Sequence, residues 1–156
     1  MNWREFFKGR PMQVVLYGLL LWAIPLAISF LAFGLKTTNP PFFETIMAVT
    51  LAVSVGIFGV MGFRGIRAHF VREGLSMGLT WMGMSIALDM GLFLEGPMKK
   101  PMGEYFTDIG LTYLMYPVIM LAMGAALQNR FEELSKEISE ATIRGVVEAA
   151  KEKNAK

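Results

Sequence analysis

The chain contains no cysteine and a single histidine, His69. Without cysteine it has no disulfides, no thiolate metal sites and no thiol redox chemistry. A catalytic triad would depend on His69, and no nucleophile motif surrounds that residue. No dinucleotide-binding, phosphate-binding or HExxH zinc motif is present either. The sequence therefore predicts no catalytic residue, no metal ligand and no cofactor, although a membrane enzyme that uses carboxylates alone stays open.

Charge is also scarce. Only 18% of the residues are charged and 54% are hydrophobic. In a soluble domain about 25% of the residues are charged and about 45–50% are apolar. The net charge of +2 is too small to predict a nucleic-acid partner. The apolar excess lies in four blocks, residues 12–35, 45–63, 74–94 and 105–127. Each block is near the roughly 20 residues that a helix needs to cross about 30 Å of hydrocarbon.

The four blocks predict an all-α, polytopic membrane protein. Membrane-spanning strands would need alternating polar and apolar residues, which these blocks lack. We therefore expect residues 1–127 to form a four-helix transmembrane bundle in contact with the lipid bilayer. The connection at residues 64–73 has no helix breaker except Gly65, so we expect it to stay largely helical.

Basic residues are distributed unevenly between the two sides of this predicted bundle. One side carries Arg4, Lys8, Arg10, Arg64, Arg67, Arg72, Arg130 and Lys136, and the other carries Lys36, Lys99 and Lys100. Because basic residues accumulate on the cytoplasmic side, the pattern predicts a multi-pass protein of the cell membrane with both termini in the cytoplasm. Arg64, Arg67 and Arg72 are then candidates for contact with anionic lipid headgroups.

Residues 128–156 differ from the rest of the chain in composition. They contain six acids and six bases. Phe131, Leu134, Ile138 and Ala141 follow a 3-4-3 spacing, which predicts a cytoplasmic amphipathic helix with a short apolar seam. Packing against the chain's own bundle, self-association and docking of a partner protein all remain open.

The apolar stretch "IALDMGLFL", residues 86–94, contains one carboxylate, Asp89. An acid at the centre of a membrane costs about 2.5–3.5 kcal/mol on insertion scales, and it lies here towards a helix C-terminus, where the helix dipole disfavours an anion. Asp89 therefore needs a partner, a wet cavity or a proton. Lys99 and Lys100 are the nearest candidate partners in sequence.

A polar line in the fourth block could lie beside Asp89. Tyr105, Asp108, Thr112 and Tyr116 fall at spacings of three, four and four, which predicts one shared helix face. Ser85 precedes Asp89 by one turn, and antiparallel packing would bring Asp89 and Asp108 to a similar depth. The candidate proton- or ion-binding residues are Asp89, Asp108, Ser85, Thr112 and Tyr116. The alternative is a satisfied network that locks the helices together.

Small residues recur at four-residue spacing in the second and third blocks, at Ala48, Ala52 and Gly56, at Gly74 and Gly78, and at Gly83, Ala87 and Gly91. Such stripes let helices approach closely. They predict either internal packing, which Gly56→Leu or Gly83→Leu would disrupt, or a homo-oligomer face.

Two functions are consistent with these patterns. One is a transporter- or channel-like oligomer that handles protons or cations through an intramembrane carboxylate. The other is a non-catalytic membrane assembly or scaffold subunit that docks a partner through its C-terminal helix.

Overall fold

The computed structural model describes residues 10–93 and 101–154. These residues are almost entirely helical and contain no strand, which confirms the all-α class. The elements are α1 (Arg10–Leu31), α2 (Phe33–Thr38), α3 (Pro40–Phe63), α4 (Phe70–Phe93), α5 (Met102–Asp108), a 3₁₀ helix (Gly110–Leu114) and α6 (Met115–Asn154).

Three stretches of the described chain are long and apolar enough to cross a membrane. They are Arg10–Leu31, Pro40–Phe63 and Gly110–Glu148, the last of which combines the 3₁₀ helix with most of α6. The outward face of α3 carries Val49, Val53, Ile57 and Val60, each more than half exposed. An apolar outer face of this kind is suited to lipid. The protein is therefore compatible with a membrane location.

Helix α4 has 24 residues, the same length as α3, but it is not among these three stretches. Arg72, Glu73 and Asp89 lower its hydropathy. Its place in the membrane therefore depends on how those polar groups are accommodated.

Helix α3 begins at Pro40, five residues before the predicted block. Asn39 caps it, because its side chain accepts a hydrogen bond from the Phe42 N–H at 3.4 Å. Pro40 and Pro41 occupy the first helical positions, where a missing N–H costs nothing. The first predicted block, 12–35, is divided between α1 and α2, which meet at Ala32.

The connection between α3 and α4 is not helical, so the expectation for residues 64–73 was wrong over residues 64–69. Gly65 has φ of +85° and His69 has φ of +56°. Both values lie in the left-handed region of backbone conformations. At Gly65, just after α3, this conformation ends the helix. At His69 it carries an energetic cost, because His has a side chain. Helix α4 then begins at Phe70, whose N–H donates to Gln128 Oε1 at 3.2 Å.

The fourth predicted block is also not one helix. The chain runs through α5 and the 3₁₀ helix before α6 begins at Met115. Pro117 lies in the first turn of α6, where proline is tolerated because the first N–H groups of a helix have no internal partner. The break therefore falls before Pro117, and the predicted single face from Tyr105 to Tyr116 does not form.

Helices α4 and α6 approach each other most closely, at three glycines. A Cβ on Gly78 would lie 2.6 Å from Pro117 Cα, and one on Gly124 would lie 2.6 Å from the Phe70 carbonyl oxygen. A Cβ on Gly74 would overlap the Met120 carbonyl oxygen. Backbone cannot move aside as a flexible side chain can, so these positions require glycine.

Gly74 and Gly78 belong to the four-residue stripes noted in the sequence, whereas the two positions chosen there for substitution by leucine lie elsewhere. A Cβ on Gly56 or on Gly83 would meet no atom within 4 Å. The expectation that leucine at either position would disrupt internal packing was therefore wrong. Glycines at the helix contact and glycines in open positions share the same four-residue spacing. Only the direction in which each glycine faces distinguishes them.

Helix α6 continues well past the other helices. Its 40 residues correspond to about 60 Å at 1.5 Å per residue, twice the hydrocarbon thickness of a bilayer. Residues 129–148 are all exposed. The predicted region 128–156 is thus, over its described residues, a direct extension of the fourth long helix.

Candidate functional site

Asp89 is 3% exposed and accepts three hydrogen bonds. Trp22 Nε1 donates to Oδ1 at 2.7 Å. The hydroxyls of Tyr113 and Tyr105 donate to Oδ2 at 2.7 Å and 3.1 Å. We call Trp22, Asp89, Tyr105 and Tyr113 the Asp89 cluster.

The Asp89 cluster joins four separate elements. Trp22 comes from α1, Asp89 from α4, Tyr105 from α5 and Tyr113 from the 3₁₀ helix. The break before Pro117 allows this, because it brings Tyr105 and Tyr113 to the same oxygen although eight residues separate them. The carboxylate thus connects four elements through hydrogen bonds to its two oxygens.

All three donors are neutral groups. Trp22 can only donate, and each tyrosine hydroxyl donates one hydrogen. Hydrogen bonds to a charged acceptor are stronger than those between neutral groups, so they compensate much of the cost of burying the carboxylate. The predicted partners Lys99 and Lys100 lie outside the described residues.

A second hydrogen-bonded group surrounds Tyr116. Ser85 Oγ donates to the Tyr116 hydroxyl, and that hydroxyl donates to the Leu21 carbonyl, each at 3.4 Å. The Leu21 carbonyl needs an external donor because Pro25, four residues later in α1, has no N–H. Tyr116 therefore supplies the hydrogen bond that Pro25 removes.

Helix α1 is held to α4 at a third point. Trp81 is fully buried, and its Nε1 donates to the Val14 carbonyl at 2.8 Å. A Cβ on Gly18 would lie 2.9 Å from Trp81 Cδ1, so the glycine makes room for the indole ring. In the described part of the chain, no buried side-chain nitrogen or oxygen lacks a hydrogen-bond partner.

Several predicted site residues do belong to these groups. Ser85 and Tyr116 are fully buried and bonded to each other, one turn from Asp89. Thr112 lies half-buried in the 3₁₀ helix and belongs to neither group. The side chain of Asp108 lies outside the described residues, so its pairing with Asp89 stays a prediction.

Three residues that belong to these hydrogen-bonded groups or shape them were not predicted from the sequence: Trp22, Tyr113 and Pro25. A signal for each was present. A buried acid needs donors, and Trp and Tyr are the residues that can carry a donor into apolar surroundings. A proline inside a membrane-length block leaves one carbonyl in need of a donor.

Two arginines in the connection between α3 and α4, and one in the first turn of α4, have a different environment. Arg64, Arg67 and Arg72 are exposed and form no ion pair with any described residue. Three other arginines are paired: Arg10 with Glu73 at 3.0 Å, Arg130 with Glu133 at 3.1 Å and Arg144 with Glu140 at 3.5 Å. Among the arginines that the structure describes, the three without an ion pair are thus those predicted to meet anionic lipid.

Comparison with protein-family models, with curated proteins and with solved structures finds no match to this chain. No group of three metal-ligating side chains occurs among the described residues. What the protein does must therefore be inferred from the contacts of the chain itself. Around Asp89, both carboxylate oxygens accept hydrogen bonds from protein donors.

Proposed function

We propose that this protein is a non-catalytic multi-pass membrane protein that assembles with further copies of itself through its C-terminal helix. The extension of α6, residues 128–154, is the observation that carries the proposal. It continues beyond the packed helices and exposes apolar side chains to water.

The proposal includes four membrane crossings, three by the stretches of membrane length and a fourth by α4. Helix α4 packs along α6 and against α1, and its one deeply buried acid is shielded by Trp22, Tyr105 and Tyr113. Burial among protein donors is the usual way in which an intramembrane carboxylate is accommodated. With α4 crossing alongside α1, α3 and α6, both termini lie on the side that is richer in Arg and Lys, the cytoplasm.

This topology has a direct test, because the natural chain has no cysteine. A cysteine at the exposed Thr38 should react with a membrane-impermeant maleimide in intact cells. One at Asn154 should react only after the cells are opened. Labelling of position 154 in intact cells would contradict the orientation, and labelling of neither position after opening would show that the reagent, not the membrane, limits the reaction.

The alternative from the sequence, proton or cation transport through Asp89, has less support. The carboxylate is almost fully shielded, and both its oxygens are engaged by protein donors. A coupling site needs access for the ion and an exchange of partners. Proton or cation flux into liposomes that contain the purified protein, lost in Asp89→Asn, would favour transport over assembly.

The exposed seam of α6 is formed by Phe131, Leu134, Ile138 and Ala141. Phe131 is 47% exposed, Leu134 44% and Ile138 65%. Ion pairs between Arg130 and Glu133 and between Glu140 and Arg144 support the helix from outside the seam. The helix thus has its own local stabilisation, while its apolar seam has no partner within the described chain beyond Phe70, whose ring lies 5.7 Å from that of Phe131.

A second copy of this chain is the occupant that fits the seam. Copies in one membrane present their helices in parallel. In a parallel pair the flanking residues Arg130 and Glu137 face Ser135 and Thr142 of the other copy, so no like charges meet. Confinement to the membrane also raises the effective concentration of one helix near the other, so a short seam is enough.

Ile138→Lys should therefore abolish the oligomer. A lysine in the seam places two like charges opposite each other and removes apolar contact. The matched control is Ile143→Lys, since Ile143 is 60% exposed and lies five residues further, about 140° around the helix. We expect the wild type and Ile143→Lys to be oligomeric by light scattering in mild detergent, and Ile138→Lys to be monomeric.

Cross-linking of single cysteines tests the association of two copies independently, within the membrane. Leu134→Cys should form a disulfide-linked dimer on mild oxidation, whereas Glu140→Cys, about 120° around the helix and outside the seam, should not. If neither cysteine cross-links and the wild type is monomeric, the second copy is not the occupant.

A further inference from the structure

An open apolar groove lies where α3, α4 and α6 meet. It has a volume of about 400 Å³, within the range of small-molecule sites. Its apolar lining consists of Val60, Phe63, Phe70, Met123, Ala126 and Leu127, and Arg64 is the one charged residue that lines it.

The groove lies at the end of the membrane-length apolar segments. Phe63 is the last residue of α3, and Leu127 is the last apolar residue of α6 before the charged extension begins. Phe70 begins α4, and its N–H is bonded to Gln128. The groove therefore combines apolar walls with a polar edge, as expected at the level where acyl chains meet headgroups.

The charge at this edge is positive and uncompensated. Arg64 has no ion pair with the described residues, and neither has Arg67 or Arg72 on the same side. Glu73, the acid closest in sequence, is already bonded to Arg10 at 3.0 Å. A phosphate at Arg64 would therefore meet a free guanidinium, which binds phosphate by charge-assisted hydrogen bonds.

We infer that this groove binds one anionic phospholipid, with an acyl chain against Phe63, Phe70 and Leu127 and the phosphate on Arg64. The site is separate from the seam of α6, and its occupation does not require a second copy. Failure of self-association would leave it intact, so the two proposals can fail independently.

Binding is measured on the full chain purified in a non-ionic detergent. Native mass spectrometry counts the lipid molecules retained by each chain. The unfolding temperature is then measured with added dioleoyl phosphatidylglycerol, dioleoyl phosphatidylcholine or inorganic phosphate. We expect one phosphatidylglycerol to be retained per chain and to raise the unfolding temperature. Phosphatidylcholine and inorganic phosphate should do neither.

Two variants separate the groove from a general attraction to charge. Arg64→Gln should lower the affinity for phosphatidylglycerol at least about tenfold. The matched control Arg67→Gln removes the same charge outside the groove and should cost no more than about fivefold. Equal losses in the two variants would overturn the inference, because the arginines would then act only through their summed charge.

The acyl-chain part of the site is tested by filling the groove with a large side chain. Ala126 is exposed, so Ala126→Trp adds volume to the groove without crowding the packed core. The variant should keep its unfolding temperature in the absence of lipid and lose the retained phosphatidylglycerol. Undiminished lipid binding, or inorganic phosphate that stabilises as well as phosphatidylglycerol does, would show that no acyl chain occupies the groove.

Discussion

Asp89→Asn should lower the free energy of unfolding by about 2 kcal/mol, measured by denaturation in mixed detergent micelles. The carboxylate accepts from Trp22, Tyr105 and Tyr113. Asparagine keeps one oxygen acceptor and places an NH₂ group against the other donors. Hydrogen bonds to charged groups are worth about 1.5–3 kcal/mol in water-soluble proteins, and interhelical ones in membranes average about 0.6 kcal/mol. Relief of the buried charge offsets part of the loss.

Asp89→Leu should be more damaging, by about a further 1–2 kcal/mol, because all three donors then lack an acceptor. The matched control is Ser85→Ala, one turn earlier on α4 and equally buried. Its hydrogen bond to Tyr116 is long, at 3.4 Å. We therefore expect a loss below about 1 kcal/mol there.

A double-mutant cycle identifies the source of the Asp89 effect. Tyr113→Phe keeps the ring and removes the hydroxyl that lies 2.7 Å from Oδ2. Asp89→Asn should then cost less in the Tyr113→Phe background than in the wild type, by about 1 kcal/mol. If Asp89→Asn is as stable as the wild type and also blocks a proton or cation flux, the carboxylate is a transport site and not a structural lock.

Gly78→Leu should prevent α4 and α6 from packing. Even the first side-chain carbon would lie 2.6 Å from Pro117 Cα and 2.9 Å from the Tyr116 carbonyl oxygen. Both are backbone atoms of the helix turn that begins α6, so relief requires the helices to separate. Overpacking typically costs about 1–3 kcal/mol for small insertions, and leucine at a backbone contact should exceed this range. The expected result is a protein that does not survive purification or unfolds far below the wild-type temperature.

Gly83→Leu is the matched control, five residues later on the same helix. A Cβ there meets nothing within 4 Å. Leucine also has the higher helix propensity, by up to about 1 kcal/mol. The unfolding temperature should stay the same or rise slightly. A strong loss at Gly83 with the monomer otherwise intact would instead place that glycine at a contact between copies, since the chain itself leaves the position open.

The apolar blocks and their length were sufficient to predict helices of membrane length, because a chain in lipid must satisfy its backbone internally. Asp89 could be identified from the same blocks as a residue that must be accommodated. The spacing of Phe131, Leu134 and Ile138 also predicted the amphipathic character of the C-terminal region. These are local properties, which composition and periodicity carry directly.

Tertiary structure decided what spacing could not. Gly78 and Gly83 are alike in the sequence, and only the position of α6 makes one a close contact and leaves the other open. The helix break before Pro117 brings Tyr105 and Tyr113 to Asp89, whereas a continuous helix would have placed Tyr105, Thr112 and Tyr116 along one face. The physical reason is that a donor and its acceptor in the Asp89 cluster lie up to 67 residues apart in the chain. Helix periodicity carries no information about which distant helix a side chain will meet.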